Sequence, residues 1–472
     1  GTTTVLVDRE GRVTAQAYRP LQQYYPRPGW VEHDPEEIWR GAAAAATEIA
    51  GAAAEPIEAV GITNQRETTI VWDRNTGRPI HRAVVWQCRR TAPACRALAS
   101  RAPFVRERTG LPLDPYFSAT KVAWLLEHGE IPEGADLLFG TVDTWLLWKL
   151  TGGRQHATDA TNASRTMLFD IHDRVWSDEL CDLFGVPREL LPDVRCSCAE
   201  YGTVRTLEAL DGVPVCGVAG DQQAALFGQT CFRKGQMKNT YGTGCFLVMN
   251  TGDDCVESRH GLLTTLAADG QGNPCYALEG SVFTAGAALE WLRDKMGILE
   301  SAADSEEMAR SLDDNGGVYM VPAFSGLGAP HWDAEARGAL VGLTGGTTRA
   351  HLVRAALESM AYQSADLLAA MEADAGERCA QLAVDGGASA NDFLLQFQAD
   401  LIDRPVVRPL CVESTSIGAA YLAGLGSGAW EGPAELERLH REGSRFEPSM
   451  AGDRREALLA GWRRALRQTM TG

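Results

Sequence analysis

Arg66 and Glu67 stand side by side in Gly-Ile-Thr-Asn-Gln-Arg-Glu-Thr-Thr-Ile-Val-Trp (61–72), a polar tip between two apolar, β-branched runs (60–63 and 69–72). A guanidinium offers paired donors in a rigid fork and a carboxylate offers paired acceptors. Together they can grip two neighbouring hydroxyls of a polyol. Taken alone, an Arg-Glu dipeptide at such a tip is more often an exposed ion pair on a hairpin.

Asp221, followed by Gln222, is the candidate general base. The run 213–218 reads as a strand, Gly220-Asp221 as its end and 222–227 as a helix. That order leaves a carboxylate at the carboxyl end of a strand, where open α/β sheets build their sites. There it can take the proton of an attacking hydroxyl and stand near a metal. An Asp after Gly is also a common turn residue or helix cap.

Gly242-Thr243-Gly244 and Gly386-Gly387 are turns whose backbone N–H groups could cradle phosphates, and Gly286 lies in a small-residue segment (285–288). Tight turns need glycine regardless, so each is a weak signal alone. Trp86, Tyr116 and Phe246 are aromatics beside polar loops that could wall a small polyol, with core packing as their ordinary role. No Gly-x-x-x-x-Gly-Lys-Ser/Thr run, no Gly-x-Gly-x-x-Gly after a strand, no His-Glu-x-x-His and no Gly-x-Ser-x-Gly occurs.

The elements that must position these residues alternate strand-like runs, Gly-rich turns and amphipathic helices, which predicts an α/β protein. Strands are expected at 4–7, 137–142 and 382–385, and a hairpin at 238–250. Helices are expected from Asp34 through an Ala-rich body, at 145–150, at 351–372 and from Asn391. A Gly-Thr hairpin early in each half, and a strand, Gly-turn and helix later in each, suggest two related domains meeting near residue 230.

At 472 residues the chain exceeds one ordinary core. Its net charge of -18 argues against non-specific nucleic-acid binding, which requires a basic surface. An anionic substrate must therefore be held by local dipoles, a few basic side chains or a metal. No apolar run approaches membrane-spanning length. The 12 cysteines include no Cys-x-x-Cys pair, which favours a reducing cytoplasmic setting over a disulfide framework. Cys196 and Cys198 form a Cys-x-Cys, a weak metal signal, whereas Cys216, Cys245 and Cys411 read as buried thiols.

In combination the motifs resemble those of the FGGY carbohydrate kinases, within the actin-like and hexokinase-like ATPases. The resemblance runs from about Pro28 to the last helix. It is carried by Pro-Gly-Trp-Val-Glu-His-Asp-Pro (28–35), the 61–69 segment, Val-Trp-Gln-Cys-Arg-Arg (85–90), Gly-Thr-Val-Asp-Thr-Trp-Leu (140–146), Ala-Gly-Asp-Gln-Gln-Ala-Ala-Leu-Phe-Gly (219–228) and Asn-Thr-Tyr-Gly-Thr-Gly-Cys-Phe (239–246). Two FGGY-type signatures lie at 118–128 and 338–358. The Asn-Gln-Arg-Glu segment favours the glycerol kinase branch over kinases of pentuloses or gluconate.

The resemblance implies two related actin/hexokinase-like (ribonuclease H-like) domains with a cleft between them. Residues 1–230 would bind the polyol and 231–472 the nucleotide. Arg66, Glu67, Tyr116, Asp221 and Gln222 would hydrogen-bond glycerol, and Trp86 and Phe246 would flank its carbons. Asp221 would be the base and a Mg²⁺ ligand. Gly242, Thr243, Gly286, Gly387, Asn391, Thr2 and Thr3 would contact ATP. The family carries Gln near the adenine where this chain has Glu290, so that contact is not carried over. Mg²⁺ would accompany ATP/ADP and glycerol in the cytoplasm, and a homo-oligomer is compatible with the family.

One departure concerns the family's first phosphate loop, Asp-x-Gly-Thr-Thr, whose Asp positions Mg²⁺. This sequence opens with Gly1-Thr2-Thr3, and that Asp is not in it. The spacing to Asp8 favours Gly1-Thr2-Thr3 as the tip of the hairpin after the motif. On this reading the sequence is truncated, a first strand is missing, and this polypeptide is expected to have little or no kinase activity. The segment 206–212 has neither a Gly-rich basic loop for a sugar bisphosphate nor a phosphorylatable His, so both controls are expected to be absent. A different class, a non-catalytic nucleotide-binding scaffold, is disfavoured because a scaffold needs no hydroxyl base.

Overall fold

The computed structural model describes residues 1–333 and 335–470. In the second half a seven-stranded mixed sheet runs in the order Leu263–Leu266, Tyr276–Val282, Cys245–Gly252, Met237–Tyr241, Leu382–Asp385, Val406–Pro409, Glu442–Phe446. Strand Met237–Tyr241 pairs antiparallel with Cys245–Gly252 and parallel with Leu382–Asp385, with Thr240 opposite Asp385. The two parallel strands therefore end together, which sets the turns after Tyr241 and Asp385 side by side. The long helix Arg349–Ala375 seals this sheet with Val353, Leu357, Met360, Leu367 and Met371. A capping box between Thr348 and His351 satisfies its first turn.

The first half is built from strand pairs. Val60–Asn64 lies parallel to Val215–Gly220, Ile70–Asp73 pairs antiparallel with Leu137–Gly140, and Thr2–Val7 with Val13–Arg19. Helix Pro35–Ala52 starts as its sequence requires, with Asp34 accepting from the Glu36 N–H at 2.8 Å and Pro35 in the first turn. Helix Ser414–Ser427 packs on Val60–Asn64, Val215–Gly220 and helix Asp221–Gly228. The approach is close: a Cβ on Gly61 would stand 2.2 Å from the Ala419 carbonyl, and one on Gly418 1.8 Å from the Ala224 carbonyl.

The expected elements at 137–142, 213–218, 238–250, 351–372 and 382–385 are all present with small shifts of their ends. Three details differ. The strands on either side of Arg66-Glu67 join different partners, so this loop links two strand pairs and is not a hairpin tip. Thr2 and Thr3 are also not a turn tip. Both lie in strand Thr2–Val7, opposite Arg19 and Tyr18, because the turn needed to reverse this strand is at Asp8–Arg12. Finally, Cys216 and Cys245 are buried but Cys411 is only half-buried, since it follows the end of strand Val406–Pro409. Among the described residues no helix is long and apolar enough to cross a membrane.

Candidate active site

Strand Val60–Asn64 delivers Arg66 and Glu67, and its parallel neighbour Val215–Gly220 delivers Asp221. Both loop residues are only 2% exposed, so the exposed ion pair is ruled out. Glu67 has a φ of 60°, a left-handed conformation that an L-residue holds only when its surroundings impose it. Its carbonyl accepts from Lys121 Nζ (3.1 Å), Ser118 Oγ (3.2 Å) and Thr69 Oγ1 (3.0 Å). Lys121 also donates to the Tyr116 carbonyl, at 2.5 Å, tying the aromatic to the same peptide. Burial lowers the Lys121 amine to about 7.

The Arg66 guanidinium forms paired hydrogen bonds to Glu279 (2.5 and 2.9 Å) and a third to Gln223 Oε1 (3.1 Å). Its Nε is 3.0 Å from Asp221 Oδ1. Most of the fork is thus spent on holding the protein, which leaves fewer donors for a polyol than the sequence suggests. Arg165 completes the arrangement, donating to Glu67 Oε1 at 2.7 Å and to Glu279 Oε1 at 3.0 Å. Glu279 comes from strand Tyr276–Val282 of the second-half sheet, so two guanidiniums and two carboxylates lock the halves together.

Arg165 and Glu279 are fully buried. Burial raises the Glu279 carboxyl, but Arg165 and Arg66 outweigh it and hold it at about 2. For Glu67 burial dominates, and the carboxyl sits above its ordinary range. Removing one partner of such a group leaves an uncompensated buried charge, at a cost of about 3–5 kcal/mol.

Among the described residues, four polar atoms in this cluster carry no hydrogen bond: Glu67 Oε2, the Tyr116 hydroxyl, Asp221 Oδ2 and Gln222 Nε2. None is among the sealed, unpartnered atoms, so each meets accessible space. Asp221 is the most open, with a third of its side chain exposed, and begins helix Asp221–Gly228. The Tyr116 ring stands edge-on to Trp86 (centroids 5.5 Å apart, planes at 86°). Burial raises the Tyr116 phenol, so it stays protonated and able to donate.

Gln222 joins the group through Lys238, which donates to Gln222 Oε1 and to Thr240 Oγ1 (2.7 Å). Phe246 pairs across the hairpin with Thr240, so it shares a face with this link. No ring contact joins Phe246 to Trp86 or Tyr116.

The nucleotide candidates gather at the carboxyl ends of the second-half parallel strands. Gly286 begins helix Gly286–Asp294 and donates its N–H to the Gly242 carbonyl at 3.0 Å. A Cβ there would come within 2.6 Å of that oxygen. The Gly386 backbone (φ 84°) lies against Tyr241, which places Gly387 next to the Gly242-Thr243 turn. Asn391 caps helix Asp392–Ile402 by accepting from the Leu394 N–H (2.9 Å) and donates to Ser305 (3.2 Å). Its side chain is therefore committed mainly to structure. Helix Asp221–Gly228 connects the two clusters, because Gln229 at its end donates to Asp385 Oδ2 and the Val384 carbonyl, both at 3.1 Å. Thr2 and Thr3 lie in strand Thr2–Val7 of the first half, where Thr2 packs beside Gly41 of the first helix. Glu290 is exposed.

Sequence reasoning overlooked Arg165, Glu279, Lys121, Lys238 and Gln223. Glu279 carried a readable signal, a carboxylate inside the strand run Tyr-Ala-Leu-Glu-Gly-Ser-Val (276–282). Lys121 and Lys238 have the same character, charges within segments that must be buried.

The carbohydrate kinase family FGGY matches this chain through models of its N-terminal domain (residues 1–228) and its C-terminal domain (residues 237–427). Glycerol kinase 2 of Thermotoga maritima is 53% identical over 483 residues, spanning 100% of this chain and 97% of that protein. Glycerol kinase of Dechloromonas aromatica is 55% identical over 480 residues, 99% and 95% respectively. The crystal structure of Plasmodium falciparum glycerol kinase with ADP superposes with a TM-score of 0.92 at 35% identity, covering 100% of this chain and 96% of that one. A ligand-bound xylulose kinase from Lactobacillus acidophilus shares the fold (TM-score 0.87) at 19% identity over 99% and 96%. With two family models covering most of its length, full-length relatives above half identity and the matching two-domain fold, the chain belongs to the FGGY family of carbohydrate kinases.

Proposed function

We propose that this enzyme transfers the γ-phosphoryl group of ATP to a terminal hydroxyl of glycerol, giving sn-glycerol 3-phosphate, with Asp221 as the general base. The observation that carries the reading is the set of unengaged polar atoms, Glu67 Oε2, the Tyr116 hydroxyl, Asp221 Oδ2 and Gln222 Nε2, beside the Trp86–Tyr116 aromatic edge. They offer acceptors, a phenol and an amide to hydroxyls, and an apolar wall to carbon. Full-length relatives named glycerol kinases agree with that chemistry.

Residues 1–230 form the polyol side and residues 231–472 the nucleotide side. Asp221 accepts the proton as the hydroxyl attacks in line, while Glu67 and Tyr116 fix the remaining hydroxyls and set the attacking oxygen's direction. Trp86 and Phe246 exclude water, the rival nucleophile. Thr243 and Gly387 present backbone N–H groups to the phosphates, while Gly242 and Gly286, whose own N–H groups are bonded to the Gly244 and Gly242 carbonyls, let the backbone approach closely, and Asn391 holds the helix behind them.

For Mg²⁺, Asp221 has the required chemistry, since Oδ2 is unengaged and the side chain is partly open. Among the described residues no three His, Cys, Asp or Glu converge. That pattern suits Mg²⁺, which commonly takes one or two carboxylates together with water and substrate phosphates. Bound there, the ion would neutralise charge on the transferring phosphoryl group.

Rates across glycerol, dihydroxyacetone, xylulose and ribulose test the assignment. Glycerol is expected to give the highest kcat/KM, and a marked preference for a pentulose would overturn the reading.

A further inference from the structure

We propose that Cys196 and Cys198 are a reversible oxidative modification site, at which a peroxide-class oxidant joins the two sulfurs and thereby weakens polyol binding through Ser197. The effect on binding rests on the glycerol reading above; the modification does not. The sulfurs are 3.4 Å apart, and among the described residues no other two cysteines are hydrogen-bonded to each other. Both are half-buried and open to a small oxidant, whereas most other cysteines are buried.

The chemistry suits the pair. The hydrogen bond from Cys198 lowers the Cys196 thiol to about 7, although burial opposes it, while Cys198 moves the other way. One sulfur is thus primed as a nucleophile and the other holds the proton. The Cys196 thiolate attacks a peroxide oxygen, the O–O bond breaks, and the departing hydroxide takes up a proton to become the first water. The Cys198 sulfur then attacks the resulting sulfenic acid and releases the second. Two thiols lose two electrons and two protons, and one hydrogen peroxide becomes two waters.

Ser197 transmits the change. Closing the bond takes the sulfurs from 3.4 Å to about 2 Å, and with one residue between them the backbone at Ser197 must shift. Ser197 is buried, donates to Asp159 Oδ2 at 2.7 Å, and accepts at its carbonyl from the Val218 N–H at 2.9 Å. Val218 lies in strand Val215–Gly220, which leads directly into Asp221. Asp159 accepts from the Thr161 hydroxyl (2.7 Å), and Thr161 Oγ1 in turn accepts from the Gly220 N–H at 2.9 Å. Asp159 also caps the short helix Ala160–Ala163 that leads to Arg165, the partner of Glu67. One buried serine thus braces both carboxylates of the proposed polyol site.

The test exposes the reduced full chain to hydrogen peroxide and follows intact mass, peptide mapping and glycerol affinity by calorimetry. The expected result is a loss of two hydrogens, a bridge mapped to 196–198, and an affinity reduced about tenfold, as for a weakened hydrogen bond to a charged group, and recovered with dithiothreitol. A double variant, Cys196→Ser with Cys198→Ser, should keep its affinity through the treatment. Ser197→Ala should already bind weakly when reduced and lose little more on oxidation. Absence of the 196–198 bridge, or a bridge that leaves affinity unchanged, overturns the proposal. If the reduced chain fails to bind glycerol, the glycerol reading and the coupling fall together, and the mapped bridge still decides the modification site.

Discussion

At the residue scale, Lys121 shows how a buried charge sets up the site without facing the substrate. It donates to the carbonyls of Glu67 and Tyr116, the two residues proposed to orient the polyol. Lys121→Met should therefore weaken glycerol binding on the order of tenfold, read by calorimetry. A pH signature accompanies it. Burial lowers the amine from 10.5 to about 7, so between these values the unfolded chain binds the extra proton and stability rises with pH. The penalty is complete below about 7 and is gone by 10.5. Denaturation of both proteins across this window should show the native protein gaining stability relative to Lys121→Met as pH rises. Parallel curves would show that Lys121 is not held as described. Arg66 and Glu67 were legible in the sequence as a chemical pair. Their partners were not, since Arg165 and Glu279 are 98 and 213 residues from Glu67 and Arg66.

At the element scale, helix Asp221–Gly228 joins the two clusters, with Asp221 at one end and Gln229 beyond the other. Its position depends on helix Ser414–Ser427, which approaches it backbone to backbone at Gly418. In Gly418→Ala the new Cβ would stand 1.8 Å from the Ala224 carbonyl, so the helices must separate. Thermal or denaturant unfolding should show a loss of about 3 kcal/mol, at the upper end of overpacking costs, and glycerol affinity should fall with it. An unchanged melting temperature would contradict the close approach. The strand, Gly-turn and helix at 382–402 was readable because periodicity and turn chemistry are local. Strand partners were not, because pairing is decided by contacts across the chain. This is why the segment around Arg66 suggested a hairpin yet joins two separate strand pairs.

At the scale of the whole molecule, an acidic chain must bind an anionic nucleotide with local means. The Gly242 and Gly386 turns lie side by side at the strand ends, and the second-half sheet reaches into the Arg66–Glu67 cluster through Glu279. Much of this two-domain design was legible from motif resemblance, and the ion network between the halves was supplied only by the fold. The claim that Asp221 removes the hydroxyl proton is decided by Asp221→Asn, assayed for ATP-dependent glycerol phosphorylation with glycerol affinity measured in parallel. The amide keeps the shape and an acceptor oxygen but is a far weaker base, so kcat should fall by about a hundredfold or more while glycerol affinity changes little. Full phosphorylation activity in Asp221→Asn would contradict the assignment.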